Sequence, residues 1–134
     1  MFVDTSVVVT LLAREPDADH YAERIAAAPV RYTSGLVILE ASMRLSTMLD
    51  LDPVLVETRI QALLDEAGIS VVAIDGGIAR IAVDGFARFG KGRGHPARLN
   101  LADCLSYACA KALRVPLLFK GEDFARTDVE AAGR

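Results

Sequence analysis

Four acidic residues lie next to apolar stretches of the chain, each at the end of such a stretch, inside one, or just beyond one. They are Asp4, Glu40, Asp103 and Asp123. Carboxylates brought together without paired cations repel each other, and divalent cations such as Mg²⁺ prefer hard oxygen ligands. If the fold gathers these four side chains, the pattern predicts metal-dependent chemistry.

Asp4 ends an apolar run that starts at Met1, and two hydroxyl residues, Thr5 and Ser6, follow it. The run predicts a buried strand over residues 1–4 that delivers the carboxylate to the carboxyl edge of a sheet. An aspartate in this place also commonly serves as the N-cap of the next helix. Both interpretations of Asp4 stay open at this point.

Glu40 and Asp103 each have a simpler explanation as well. Glu40 lies within an apolar helical stretch, where an ion pair with Arg44, four residues later, would account for it. Asp103 stands three residues after Asn100, in the first turn of a predicted helix, where it could complete a capping box. The first turn is also a place from which a side chain reaches beyond a sheet edge into a site.

Asp123 belongs to an acidic turn that follows the last clear apolar strand of the sequence. Glu122 precedes it and Asp128 lies close by. An acidic turn is usually solvated. Spacing alone does not decide which of the three carboxylates points inward.

The elements that must position these acids alternate between strand and helix. The patterns predict strands over residues 1–4, 31–33, 69–74 and 116–119, and helices over 5–14, 17–28, 35–49, 53–67, 76–89 and 101–113. We expect strand 69–74 to be covered on both faces, and Leu55 to lie in the buried stripe of its helix. The alternation predicts one α/β domain over residues 1–134, with a mostly parallel central sheet flanked by helices. In such sheets ligands bind beyond the carboxyl ends of the strands, where Asp4 and Asp123 both fall.

A basic loop over residues 90–98 precedes the third acid and carries Lys91, Arg93, His95 and Arg98 between glycines. The whole chain of 134 residues has a net charge of −3, so any binding of nucleic acid requires a local basic patch. A cationic loop beside an anionic metal site suits a phosphodiester substrate. The loop lacks the Lys-Ser or Lys-Thr pair of a P-loop, which excludes triphosphatase chemistry of that type.

Other classes of site are poorly supported. Cys104 and Cys109 lie five apart on one predicted helix, where they cannot easily bridge, and they indicate small core residues in a reducing compartment. His20 and His95 are isolated, so a histidine-based metal site is not expected. No apolar run reaches transmembrane length, and Asp4 follows the first residue too closely for a signal peptide. We therefore expect a cytoplasmic protein outside the membrane.

Four segments resemble, in order and spacing, those of PIN domains, and specifically of VapC, the toxin of VapBC toxin–antitoxin pairs. They are residues 2–6, 37–42, 99–104 and 117–124. The resemblance implies a PIN-like fold and an Mg²⁺- or Mn²⁺-dependent endoribonuclease in which metal-activated water hydrolyses RNA. It further implies 5′-phosphate and 3′-hydroxyl ends, a cognate VapB-like antitoxin and a homodimer.

Carried over residue by residue, the resemblance implies that Asp4 and Asp103 bind the metal and that Glu40 and Asp123 complete the catalytic acids. Ser6 matches a hydroxyl that supports the site. Thr5 and Asn100 would be further supporting residues, and Lys91, Arg93 and Arg98 are the candidates for contacts with RNA phosphates.

Two other functions fit parts of the pattern. A metal-dependent phosphatase would use Asp4 as its nucleophile, but many such enzymes carry a second aspartate where Ser6 stands. A non-catalytic PIN-fold binding module would keep the fold without cleavage. The presence of all four acids argues against that loss of activity.

Overall fold

In the part of the chain that the structure describes, four short parallel strands form the centre. This computed structural model describes residues 1–133, and its strands are β1 (Phe2–Val3), β2 (Tyr32–Ser34), β3 (Ser70–Val72) and β4 (Leu117–Leu118). They lie in the order β3-β2-β1-β4, and each neighbouring pair is parallel. The predicted α/β class with a mostly parallel sheet is confirmed.

Six α-helices surround this sheet within residues 1–133. They are α1 (Thr5–Leu12), α2 (Ala18–Ala27), α3 (Gly35–Leu49), α4 (Pro53–Ala67), α5 (Gly76–Phe89) and α6 (Leu101–Leu113), and a short 3₁₀ helix, Phe124–Arg126, follows β4. Side-chain oxygens satisfy free N–H groups at the start of five α-helices. These caps are Asp4, Ser34, Asp52, Asp75 and Asn100. Every helix predicted from the sequence is present, with small shifts at the ends.

Two expectations about burial were wrong. Strand β3 is shorter than predicted. It lies at an edge of the sheet, where β2 is its only partner strand among the described residues, and Val71 is 49% exposed. Leu55, expected in the buried stripe of α4, is 44% exposed. A run of apolar β-branched residues indicates a strand but does not distinguish an edge strand from a central one.

The core lies around the two strands at the other side of the sheet. Phe2 and Leu118 are completely buried, and Tyr107 of α6 is itself one of the largest buried side chains. Gly85 of α5 faces this tyrosine so closely that a Cβ there would lie 2.8 Å from the ring, which lets the two helices approach. The two cysteines are buried and unbridged, as predicted. No helix within residues 1–133 is long and apolar enough to cross a membrane.

The tail of the chain covers the outer edge of β4. The Leu117 N–H donates to the Glu130 carbonyl and the Ala132 N–H donates to the Leu117 carbonyl, each at 2.8 Å. The Arg24 guanidinium donates to the Ala132 carbonyl. A covered edge cannot pair with another chain, so the tail closes this side of the sheet.

Candidate active site

The acids approach one another because the strands that precede them are neighbours. Asp4 directly follows β1, and its N–H donates to the Leu118 carbonyl of β4 at 3.0 Å. The turn that carries Asp123 follows β4, which pairs with β1 in parallel. Helix α3, which carries Glu40, leaves β2 on the other side of β1. The carboxyl edge of the sheet therefore collects these side chains, as parallel topology requires.

Asp4 is both a helix cap and a buried carboxylate. It is 6% exposed, and its Oδ2 accepts hydrogen bonds from the Ser6 N–H at 3.0 Å and the Ser6 hydroxyl at 2.7 Å. The Ser6 Oγ in turn accepts the Lys120 N–H at 3.0 Å. Thr5 is buried beside Asp4, at 2% exposure. Both bonds to Asp4 end on Oδ2, so capping does not occupy Oδ1, and the two interpretations are compatible.

Asp103 is likewise held by a cap. Its N–H donates to the Asn100 Oδ1 at 2.9 Å, and its Oδ2 accepts the Asn100 N–H at 3.1 Å, which completes a capping box. The carboxylate is thereby fixed in the first turn of α6. Asn100 supports the site by holding Asp103 in this position.

The charges of the other three acids act on Asp103. Burial is the main cause that raises the pKa of Asp103 from 3.8 to about 7. The hydrogen bond from Asn100 acts in the opposite direction. Nearby negative charges raise the pKa further, in the order Asp4, Asp123 and Glu40. The four acids singled out in the sequence therefore share one electrostatic environment.

Asp123 is a carboxylate of the acidic turn whose negative charge raises the pKa of Asp103. Asp128 instead accepts a hydrogen bond from the Tyr107 hydroxyl at 2.7 Å and pairs with Arg88 at 3.1 Å. This network places Asp128 among α5 and α6 side chains. Of these two acids, Asp123 and not Asp128 is among the charges that raise the pKa of Asp103.

Glu40 does not form the ion pair with Arg44 that was the simpler explanation for its position. Within residues 1–133, no salt bridge joins Glu40 to Arg44. The Glu40 side chain lines a surface depression that Asn100 and Leu101 also line, at the N-terminal end of α6. Its place at this depression brings it to the same side of the molecule as Asp103.

The donor set fits a hydrated divalent cation. In the part of the chain that the structure describes, none of the ion pairs includes Asp4, Glu40, Asp103 or Asp123, so their charge is not neutralised by a salt bridge. No three acidic, His or Cys side chains of residues 1–133 enclose a cation by themselves. Mg²⁺ is commonly held by one or two carboxylates with water completing its shell, which suits an open set of this kind.

Comparison with known proteins agrees with this geometry. The PIN domain family model matches residues 1–130, and relatives named as VapC ribonucleases match nearly the whole chain. The chain belongs to the VapC ribonucleases of the PIN-domain family. Ribonuclease VapC28 of Mycobacterium tuberculosis is 43% identical over 132 residues, which cover 98% of this chain and 97% of the relative. Ribonuclease VapC of Mycolicibacterium smegmatis is 41% identical over 139 residues, covering 98% of each.

A solved structure shows the same fold at low sequence identity. A chain described as a toxin-antitoxin complex from Klebsiella pneumoniae matches with a TM-score of 0.70 and 20% identity, over 95% of this chain and 92% of that one. At this identity the match supports the fold alone. The PIN fold is therefore established both by the sequence family and by the arrangement of the elements.

The basic loop of this VapC-family chain leads directly into the site. The Lys91 N–H donates to the Leu99 carbonyl at 2.9 Å and closes the loop at its base. Lys91, Arg93 and Arg98 are all exposed, and the Arg93 guanidinium lies 5.8 Å from the centre of the Phe86 ring. The loop ends at Asn100, the cap of the helix that carries Asp103. The basic side chains of Lys91, Arg93 and Arg98 thus precede Asp103 closely in the sequence and are exposed to solvent.

Lys120 is a residue of this region whose role the sequence did not reveal. Its ammonium group pairs with Glu15 at 2.5 Å and with Asp17 at 2.9 Å. These partners are 105 and 103 residues away along the chain. No local pattern signals a contact of that range. The signal available in the sequence was only that Lys120 begins the turn that carries Asp123.

Replacing Asp103 with Asn should stabilise the metal-free protein more at pH 8 than at pH 5. The folded pKa is about 7 against 3.8 for the ordinary group, so the folded state holds this proton more tightly than the unfolded chain. The contribution of Asp103 to the free energy of unfolding is fully present below the pKa of the unfolded chain and is lost as pH rises through 7. An asparagine does not ionise and avoids this loss. The melting temperature in EDTA, measured at both pH values, checks this. Asp65→Asn on the exposed face of α4 is the control, and an equal change at both pH values would contradict the prediction.

Proposed function

We propose that this chain is the toxin of a VapBC-type pair and an endoribonuclease that hydrolyses RNA phosphodiester bonds with the aid of Mg²⁺ or Mn²⁺. The observation that carries the proposal is the convergence of Asp4, Glu40, Asp103 and Asp123 at the carboxyl edge of the parallel sheet, in a chain 43% identical to Ribonuclease VapC28. VapC nucleases of the PIN family generally use a divalent metal. The protein, a single PIN domain over residues 1–134, would act in the cytoplasm and leave 5′-phosphate and 3′-hydroxyl ends.

Each residue of the site has a defined task in this mechanism. Asp4 and Asp103 would hold the cation, directly or through water, and the caps that fix both residues keep their oxygens in place. The bound cation would lower the pKa of a water molecule and offset charge on the scissile phosphate. Glu40 and Asp123 would complete the acidic pocket by hydrogen bonding the surrounding water. Ser6 orients Asp4, Thr5 packs beside it and Asn100 orients Asp103.

Asp4→Asn should abolish RNA cleavage while the protein stays folded. The amide removes the charge that would hold the cation but keeps an oxygen to accept the Ser6 hydrogen bonds. We expect the rate to fall by at least about 100-fold, since loss of even an outer-shell partner costs 10- to 100-fold. The measurement is cleavage of total cellular RNA by the purified toxin free of antitoxin, with Mg²⁺ or Mn²⁺ and with EDTA.

The matched control for this test is Asp65→Asn, which removes an exposed carboxylate of α4. It should cleave RNA as the wild type does. If Asp4→Asn cleaved at the rate of the wild type, or if EDTA had no effect, the proposed metal-dependent mechanism would be wrong. Accumulation of a phosphoryl group on Asp4 would instead support a phosphatase.

The exposed cations of the basic loop are our candidates for RNA contacts. Lys91, Arg93 and Arg98 lie on the segment that precedes the Asn100 cap, and the described structure includes no salt bridge to any of them. Cations that neutralise phosphates release counterions, which makes binding dependent on salt. A protein with a net charge of −3 needs such a local patch to attract RNA.

Arg93→Ala should raise the KM for RNA and leave kcat nearly unchanged. Loss of one phosphate contact should reduce the slope of log KM against log salt concentration by about 0.7, the value for a single strand. The kinetics should be measured over a range of KCl concentrations. Arg59→Ala, which removes an exposed arginine of α4, is the control with an unchanged slope. An unchanged slope in Arg93→Ala would remove Arg93 from the RNA interface.

We propose that the partner of this toxin is an antitoxin of the VapB type, which covers the acidic site. We also propose that the toxin forms a homodimer through an apolar face beside the site. Large apolar side chains are exposed there on α3, α5 and the start of α6: Leu39 (56%), Met43 (61%), Val83 (68%), Phe86 (43%) and Leu101 (77%). A cavity of about 550 Å³ opens between α5 and α6 within this face. Contiguous exposed apolar patches of this kind mark interaction surfaces.

Val83→Glu should convert the dimer to a monomer, because it would bury a charge in the apolar interface. Sedimentation equilibrium of the antitoxin-free protein measures this change directly. Val54→Glu is the matched control, since Val54 is 73% exposed on α4 and outside the apolar face. A wild-type monomer, or a dimer that persists in Val83→Glu, would contradict this interface; failure of the variant to bind the antitoxin would assign the face to that partner instead.

A further inference from the structure

A chain of hydrogen bonds connects an ion cluster on the surface to the buried Asp4. The Lys120 ammonium pairs with Glu15 at 2.5 Å and Asp17 at 2.9 Å. The backbone N–H of the same lysine donates to the Ser6 Oγ at 3.0 Å. The Ser6 hydroxyl then donates to the Asp4 Oδ2 at 2.7 Å. One residue thus contacts both the surface acids and the hydroxyl that orients Asp4.

The two acids of the cluster are themselves held in place. The hydroxyl of Thr10, which is 1% exposed, donates to the Glu15 Oε2 at 3.1 Å. Asp17 immediately precedes α2. Hydrogen bonds from Lys120 lower the pKa of both carboxyls, and the same bonds raise the pKa of the lysine. The cluster therefore stays charged at neutral pH and joins the segment between α1 and α2 to the turn after β4.

We propose that Lys120, Glu15 and Asp17 form a clamp that positions Asp4 for cation binding by fixing the backbone N–H that holds Ser6. This inference rests on the proposed function, in which Asp4 holds a divalent cation. Lys120 is a positioning residue, because its contacts reach the acid through Ser6. Without the clamp the turn after β4 is free to shift, and Ser6 loses the donor that fixes its hydroxyl.

Stabilisation of the fold alone does not account for the ion cluster of Lys120, Glu15 and Asp17. The side chains of Lys120, Glu15 and Asp17 are 37%, 31% and 40% exposed, and exposed ion pairs contribute little to stability. The cluster is instead placed where a small displacement of the backbone would be transmitted to Asp4. Outer-shell partners that orient a ligand commonly affect metal affinity in this way.

The direction in which the Mn²⁺ affinity changes on substitution distinguishes a positioning role from a purely electrostatic one. Removing the positive charge of Lys120 should, by charge alone, strengthen binding of Mn²⁺, whereas removing the negative charges of Glu15 and Asp17 should weaken it. A clamp predicts weaker binding in both cases. A direct contact between Lys120 and RNA predicts a third result, in which loss of the acids frees the lysine and leaves cleavage intact.

The test measures Mn²⁺ affinity by calorimetry and hydrogen exchange of the Lys120 amide by NMR, in the RNA-free full-length protein. The variants are Lys120→Met, which keeps the aliphatic stem, and the double variant Glu15→Gln with Asp17→Asn. Both should weaken Mn²⁺ binding on the order of 10-fold, at the low end for an outer-shell partner. Both should also speed exchange of the amide. Lys120→Arg, which keeps the charge, should restore most of the affinity.

Lys111→Met is the matched control, because Lys111 is 39% exposed and pairs with Asp128 away from the site. It should bind Mn²⁺ as the wild type does. Tighter binding by Lys120→Met, or unchanged binding in both clamp variants, would overturn the clamp while leaving the proposed function intact. A wild-type protein that bound no Mn²⁺ would overturn the proposed function and the clamp together. A melting temperature close to that of the wild type shows that the variants are folded.

Discussion

The burial of Asp103 at the carboxyl edge of the sheet, among the negative charges of Asp4, Asp123 and Glu40, is the constraint on which the rest of the site depends. Burial and three neighbouring negative charges bring the pKa of Asp103 to about 7. No ion pair within residues 1–133 relieves this repulsion. The folded protein therefore maintains an unfavourable arrangement of charge that a divalent cation would relieve, and the surrounding structure has to hold it in place.

Helix capping supplies much of that restraint. Asp4 starts α1 and Asp103 completes the capping box of α6 with Asn100. The backbone N–H groups and the helix dipole at these ends favour negative charge, which offsets part of the repulsion. For Asp4 and Asp103, the capping role is therefore compatible with the proposed catalytic role. At Asp4 the capping bonds fix the carboxylate through Oδ2 and leave Oδ1 outside them.

The ion pairs of residues 1–133 are made with acids other than the four of the site. Lys120 pairs with Glu15 and Asp17, and Arg88 pairs with Asp128 in a separate network. Arg31 donates to three backbone carbonyls and contacts no acid of the site through these bonds. The positive charges thereby stabilise the connections between elements, while the loop that carries Arg93 stays open to solvent. This separation of charge keeps the acidic pocket available to a cation and the loop available to an anionic substrate.

The sequence by itself determined the elements, the α/β class and the four acids, because helix caps, turn residues and apolar runs act over a few residues. Asp52 caps the start of α4 and Gly68 caps its end for that reason. Only the tertiary structure decided that β3 lies at an edge, that Asp123 and not Asp128 acts on Asp103, and that the tail covers β4. Lys120 meets Glu15 across 105 residues. Contacts of that range depend on how whole elements pack, and no local pattern of residues specifies them.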